Sequence, residues 1–363
     1  MNKEIISDNH AMYMIIIFCM GVSLIFSMAA GAKQDGWIAI ILATTVSIPL
    51  AFMYCKILNI FPNKNIFDIF EIIFGKFIGK IFSVLYIGLG IYIATLIISD
   101  FTDFIKIVGA FGTPKIIPLI LVGFLCIWML KGGIEVMARW TKVVLFSIVF
   151  LAIITWIMLI PQMNINNLKP VLYNGFSPII KETMALISFP FGELFLFTGF
   201  INCVKKTKNL YNIFLKGIVI AGSITLVANI VNIMVLGTNI NSKSYFPAYE
   251  TVRRLEVAGV FGRIEIIVAS TFVVTEFIEA CFCMLTSCKG IQKLFNCKDY
   301  RFIVTPTVLL VINLSLILYN NLMEAMEFDI KIWPYVGVFF EVVLPFIILI
   351  FALIKKKKDV VKQ

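Results

Sequence analysis

The feature that most restricts the fold of this chain is a series of apolar runs, each about 20 residues long, separated by short polar connections. A helix of about 20 apolar residues crosses the ~30 Å hydrocarbon core of a bilayer. Hydrophobic residues make up 60% of the sequence and charged residues 14%, whereas a soluble domain carries about 25% charged residues. We therefore expect an all-α polytopic membrane protein.

About ten such runs fit into the 363 residues. We place the spans at about 11–31, 37–58, 81–99, 114–131, 138–160, 183–200, 211–236, 263–288, 302–322 and 333–354. Residues 67–80 alternate charged and aromatic side chains, so we expect them to lie in the membrane interface before the third span. The sequence predicts one transmembrane domain over residues 1–363, without a cleaved signal peptide.

Lysine clusters at the span ends predict the orientation. Cytoplasmic connections carry an excess of Lys and Arg, and this rule places Lys205–Lys208 and Lys355–Lys358 inside. We therefore expect both termini to be cytoplasmic and the Asn239–Gly262 connection to lie outside. The final lysine run is interpreted as a stop signal that contacts anionic lipid.

The chain has few of the side chains that usually carry catalysis and metal binding. The single histidine, His10, precedes the first span, and the eight cysteines lie mostly in or beside apolar runs without a CxxC pair. The net charge of +10 is distributed between the spans and not on one soluble face. The sequence thus predicts no enzyme activity, no metal site, no cofactor and no nucleic-acid partner.

The sixth run, Thr183–Phe200, is interrupted at its centre by Ser188–Glu193, with the sequence SFPFGE. Proline removes a helix hydrogen bond and glycine loosens the backbone, so the helix is expected to open there. Open backbone and a carboxylate at membrane depth indicate a functional site. The alternative is a proline kink whose Glu193 is satisfied by a neighbouring helix.

The ten spans divide into two sets of five with opposite orientation, about 11–160 and about 177–354, so we expect a 5+5 inverted repeat. The broken sixth span is then the counterpart of the first, in which Gly21 and Ser23 are the softest point. Paired discontinuous helices indicate a ligand site near the midplane, where helix ends suit both charges of an amino acid. The candidate ligand-binding residues are Gly21, Val22, Ser23, Tyr92, Ser188, Phe189, Gly192 and Glu193.

Two acids of the eighth span, Glu276 and Glu279, share one helix face. Two adjacent carboxylates in the membrane are expected to bind a cation, pair with a base or take up a proton. Lys142 of the fifth span is the nearest candidate base, although a lysine there can also extend to the cytoplasmic interface. These three residues are our candidates for ion or proton binding and for switching, and packing is the alternative for Tyr92.

The order and spacing of four motifs resemble those of the endospore germination permease family. The motifs are Ala30–Trp37 (AGAKQDGW), Gly133–Arg139 (GIEVMAR), Ser188–Glu193 and the stretch Tyr245–Glu265. These permeases are the B subunits of spore nutrient germinant receptors and belong to the amino acid, polyamine and organocation superfamily. The resemblance implies a ten-helix transporter-like fold in the spore inner membrane, A and C partner subunits, and sensing of a small nutrient, often an amino acid.

Three functions remain open at this stage. The chain could be a sensor that converts amino-acid binding into a signal to partner subunits, or a secondary amino-acid transporter coupled to protons or sodium. It could also be a membrane anchor for a complex without a ligand of its own. Fold alone does not separate the first two, and the resemblance favours the sensor.

Overall fold

The computed structural model describes residues 4–109, 112–205, 209–257, 265–319 and 322–361. The α-helices of these ranges are α1 (Asp8–Met20), α2 (Gly36–Ile60), α3 (Ile66–Val108), α4 (Ile116–Gly132), α5 (Ile134–Leu159), α6 (Ser177–Leu186), α7 (Leu210–Leu236), α8 (Thr238–Asn241), α9 (Pro247–Val257), α10 (Glu265–Leu294), α11 (Arg301–Ile317), α12 (Leu322–Lys331), α13 (Trp333–Val338) and α14 (Leu344–Val361). Parts of two predicted features, Lys206–Lys208 and residues 258–264 of the Tyr245–Glu265 motif, lie outside the described residues.

These helices confirm the all-α fold with ten membrane spans. Six helical segments are long and apolar enough to cross a membrane, and the shorter apolar helices α4 and α11 add two. The remaining two spans are the interrupted first and sixth, which begin with α1 and α6. In chain order, α1 to α7 supply spans one to seven, α10 and α11 the eighth and ninth, and α13 with α14 the tenth.

The predicted interfacial segment before the third span contains a kink. Gly75 has φ 79° and ψ 172°, which separates a helix over 66–74 from the membrane helix that begins at Lys76. A positive φ favours glycine, which has no Cβ to clash with the backbone. The helix also continues past residue 99 to Val108, and the interfacial position of residues 67–80 stays a prediction.

The long connection after α5 covers one end of the bundle. Asp35 accepts a hydrogen bond from the backbone N–H of Leu172 at 2.9 Å, and Gln34 donates to the carbonyl of Pro170 at 3.0 Å. Asp35 and Gln34 both belong to the AGAKQDGW motif, and both side chains are buried. That motif therefore ties the loop to the start of α2.

At the opposite end, the segment before α1 joins several elements. Ile6 forms an isolated β-bridge with Val204, just after the sixth span. Glu4 lies 3.0 Å from Arg301 and 3.7 Å from Lys289, so it links α11 to the end of α10. We refer to these contacts of Glu4 and Ile6 as the N-terminal contact.

Candidate functional site

The first span is interrupted directly after Gly21, as predicted. α1 ends at Met20, and a single 3-10 turn, Val22–Leu24, follows before the chain leaves the helix. A Cβ at Gly21 would overlap Glu279 Oε1 and lie 2.8 Å from Thr275 Cβ. The glycine therefore lets α10 approach the break, where the backbone N–H of Val22 donates a hydrogen bond to the Glu279 carboxyl group.

Ser23 stabilises this break and packs against α7. Its hydroxyl donates to the carbonyl of Met20 at 2.6 Å and accepts a hydrogen bond from Thr225 at 2.7 Å. Ser23 is buried, and it is not part of the wall of the cavity described below. Its position thus fits a cap for the broken helix.

The sixth span is interrupted at the predicted motif. α6 ends at Leu186, and a π-helical turn, Ile187–Phe191, connects it to a 3-10 helix over Gly192–Gly199. Phe189 inside the turn has extended dihedral angles of −140° and 119°. Because Pro190 has no N–H, it cannot continue the α-helical ladder, which explains the opening. Glu193 follows Gly192 at the start of the second half, as the sequence predicted.

A cavity of about 220 Å³ lies between the two interrupted spans. Its wall takes residues from the broken part of the first span, from α3, from α6 and its π-helical turn, from α10 and from α13. The polar and aromatic residues of the wall are Phe26, Ser27, Asp100, Glu182, Phe189, Glu193, Glu276 and Trp333. Besides Glu276, three predicted site residues line the cavity: Val22, Phe189 and Glu193.

The wall of this cavity carries four carboxyl groups and, among its lining residues, no Lys, Arg or His. Glu193 and Glu276 are 4% and 1% exposed. Four acidic side chains on one wall make its surroundings negative, so such a cavity suits a ligand that carries an ammonium group or another positive charge. An aromatic wall, here Trp333 and Phe189, adds favourable contact with a cation when the ring face is presented.

Asp100 and Glu182 line the cavity but were not among the predicted site residues. Asp100 directly follows the predicted end of the third span at residue 99, whereas the helix continues to Val108 and so includes it. Glu182 lies one residue before the apolar run that was taken as the sixth span. It accepts a hydrogen bond from the backbone N–H of Gly31, so the AGAKQDGW motif reaches the site through its main chain.

Tyr92 and Lys142, two further predicted residues, do not line the cavity. Tyr92 is hydrogen-bonded to Tyr319 at 2.7 Å, and its ring stacks on Trp333, which does line the cavity. Lys142 is exposed on α5. Burial lowers the pKa of His10, and the charge of Lys142 lowers that pKa further, which places the lysine near the N-terminal end of α1.

Ser188 and Gly192 lie behind the π-helical turn, away from the cavity wall. A Cβ at Gly192 would overlap Glu341 Oε2, and a Cβ at Gly337 would overlap Ser188 Oγ. Glu341 lies in the tenth span and was not among the predicted site residues. Its sequence signal was Pro345 four residues later, because a proline leaves the carbonyl of the residue four positions earlier without its helical N–H partner.

Two solved structures share this fold. The chain is similar to Mhp1, a nucleobase-cation-symport-1 family transporter in a closed conformation with bromovinylhydantoin bound. The TM-score is 0.73 at 11% identity, covering 96% of this chain and 78% of that one. MhsT in complex with L-phenylalanine matches with a TM-score of 0.65 at 14% identity, covering 98% and 99%. At these identities the likeness shows the fold alone, and the class that this fold defines is a multi-pass helical membrane protein.

Sequence comparison then identifies the family. Residues 5–325 match the family described as spore germination protein, the spore permeases, so the chain belongs to that family. It is 28% identical to spore germination protein KB of Bacillus subtilis (strain 168), over 99% of this chain and 97% of that protein. It is 24% identical to spore germination protein XB of Bacillus anthracis, over 68% of each. The chain is therefore a germination-related membrane protein, as the motifs indicated.

Proposed function

We propose that the chain is the membrane subunit of a spore germinant receptor. It binds a small nutrient, an amino acid or a similar amine, in the cavity between the interrupted spans and triggers germination together with A and C subunits. The proposal places it in the spore inner membrane with both termini in the cytoplasm. It has no catalytic step, since its work is binding and a change of conformation.

The observation that carries this proposal is the acidic cavity between the two interrupted spans. Its volume of about 220 Å³ is below the roughly 300–1,000 Å³ of pockets for drug-sized ligands, so it fits a small nutrient. Four carboxyl groups without a lining base favour a positively charged group on that nutrient. We assign the ligand ammonium to Glu193 and Glu276, and the ligand side chain to the aromatic wall of Phe189 and Trp333.

The proposal keeps a role for all three predicted residues of the first span. Val22 lines the cavity, whereas Gly21 and Ser23 hold the broken backbone beside it. A ligand carboxylate would approach the main chain of this interrupted segment, because open helix ends present N–H groups to anions. Binding therefore changes the contacts of both discontinuous helices at once, which is how a signal could reach partner subunits.

The alternative function is a secondary amino-acid transporter coupled to protons or sodium. It is favoured by the similarity to Mhp1 and MhsT, of which the first is named as a cation symporter. Buried acids on α10 would supply the ion or proton site in such a carrier. Net movement of substrate separates the two functions.

The experiment combines spores and proteoliposomes. Spores that carry this chain and its partner subunits are exposed to each of the 20 L-amino acids, and germination is followed by the fall in optical density. Purified protein in proteoliposomes is tested for uptake of the amino acid that triggers, with and without sodium and proton gradients. Germination without uptake supports the receptor, and gradient-driven uptake supports the carrier. If no amino acid has an effect in either assay, the ligand assignment is wrong.

A further inference from the structure

A second polar site lies behind the π-helical turn of the sixth span, away from the nutrient cavity. The side chains of Glu341 and Ser188 are both 0% exposed. Among the described residues, the two carboxyl oxygens of Glu341 have no hydrogen-bond partner. The Ser188 hydroxyl has none either. Buried polar groups are nearly always paired, because one left without a partner loses the hydrogen bonds that water makes with it in the unfolded chain.

These unpaired atoms face a common point. A Cβ at Gly337 would overlap Ser188 Oγ and lie 3.2 Å from Glu341 Oε2. A Cβ at Gly192 would overlap the same carboxyl oxygen and lie 2.6 Å from the carbonyl oxygen of Ile187. One carboxylate, one hydroxyl and one backbone carbonyl therefore converge between two glycines that leave the space open.

The surrounding backbone is held in this arrangement by Tyr54 of α2. Its hydroxyl donates to the carbonyl of Glu341 at 2.5 Å and also approaches the carbonyl of Gly192 at 3.3 Å. Both carbonyls belong to helices that leave the α-helical pattern, one in the π-helical turn Phe339–Val343 and one after the turn Ile187–Phe191. Tyr54 thus fixes the two irregular turns relative to each other.

Among the described residues, Glu341 takes part in no ion pair. The neighbouring charge that acts on Glu341 in this part of the chain is that of Glu193, a second acid. A buried carboxylate without a counter-charge is unfavourable, and a second negative charge nearby makes it more so. A cation bound to the carboxylate would remove both penalties.

We propose that Glu341 Oε1 and Oε2, Ser188 Oγ and the Ile187 carbonyl oxygen form a binding site for a monovalent alkali cation, with sodium as the probe. Hard cations take oxygen ligands, and divalent ions in proteins usually require several carboxylates or many oxygens. One carboxylate with neutral oxygens balances a single positive charge. The inference does not depend on the proposed nutrient, since it concerns the opposite side of the turn.

Cation binding at this site would act on the nutrient cavity. The cation joins the tenth span to the turn that carries Phe189, and Glu193 follows one residue after Gly192. Occupancy of the site thereby stabilises the position of two cavity residues. Linkage requires the effect to be mutual, so a nutrient bound in the cavity would raise the affinity for the cation.

The test measures sodium-dependent stabilisation without any amino acid. Full-length protein in detergent is melted at constant ionic strength and pH while sodium chloride replaces choline chloride. A ligand that binds only the folded state raises the melting temperature with its concentration. We expect such a rise in the wild type, and we expect Glu341→Gln to need at least tenfold more sodium for the same shift. Ser188→Ala should weaken binding in the same direction and serves as the second variant if Glu341→Gln does not fold.

Two controls make the result specific. Thr251→Val removes another buried hydroxyl without a partner among the described residues, on α9, and should keep the wild-type sodium dependence. Ser47→Ala removes a further such hydroxyl, on α2, and should also keep it. The proposal is overturned if neither sodium nor potassium shifts the wild type, as expected for a protonated Glu341. It is also overturned if Glu341→Gln and Ser188→Ala retain wild-type sodium dependence, or if Ser47→Ala abolishes it.

Discussion

Gly21→Ala tests whether the close approach of α10 to the first break is needed. The new methyl group would overlap Glu279 Oε1 and lie 2.8 Å from Thr275 Cβ. The carboxyl group can rotate, but Thr275 Cβ is fixed to the backbone of α10, so the helix itself must move. The backbone at Gly21, with φ −58° and ψ −53°, is compatible with alanine, and the cost is therefore steric.

The expected magnitude follows from two opposing terms. Overpacking a well-packed core costs about 1–3 kcal/mol. Alanine recovers up to about 1 kcal/mol over glycine in a helix. Because the obstructing atom at Thr275 cannot yield, we expect the upper part of the range, a net loss of about 2 kcal/mol, and a higher ligand concentration for half-maximal response.

The assay is a double-mutant cycle with Thr275→Gly, measured as the change in melting temperature of purified protein. Removing Thr275 Cβ leaves only the contact with the Glu279 carboxyl group, which can rotate, so Gly21→Ala should cost less than half as much in the Thr275→Gly background. Gly88→Ala on α3 is the matched control, because no atom lies within 4 Å of its Cβ position, and it should not destabilise the protein. An additive cycle, or a Gly21→Ala protein as stable as the wild type, would refute the reasoning.

Three further predictions address the cavity, the N-terminal contact and the orientation. Glu193→Gln should express normally but need at least tenfold more amino acid for germination; wild-type sensitivity, with Glu193→Ala failing to express, would make Glu193 a structural cap. Glu4→Ala should lower the melting temperature by removing its links to Arg301 and Lys289, whereas the exposed Glu327→Gln should not. Ser242→Cys, without the native accessible thiols, should react with an impermeant thiol reagent in intact cells; reaction in broken cells only would reverse the predicted orientation.

The positions of the membrane spans could be predicted because their physical cause is local. A run of about 20 apolar residues is enough to specify a helix that crosses the bilayer. The break at Pro190 was equally local, since a proline without an N–H interrupts its own helix. By contrast, the kink at Gly75 was not predicted. No neighbouring atom lies within 4 Å of its Cβ position, so the glycine is required only by the positive φ of the kink, and that φ depends on how the preceding helix packs.

The partners of the buried acids could not be predicted from spacing. Glu276 and Glu279 share a helix face, yet Glu276 lines the cavity while Glu279 contacts the first break. Glu182 and Glu341 each meet a glycine far away in sequence, Gly31 and Gly192. Such contacts depend on tertiary packing, which spacing in the sequence does not show. For Glu341, the local signal is Pro345, four residues later.

The most direct test of the central claim is binding of an amino acid to the purified chain with and without space in the cavity. Ala185 lines the cavity, and Ala185→Trp fills it without removing a carboxyl group. We predict that at least one amino acid that triggers germination raises the melting temperature of the wild type, and that Ala185→Trp folds but loses this shift. If the variant keeps the wild-type concentration dependence, or if no triggering amino acid stabilises the wild type, the cavity is not the nutrient site.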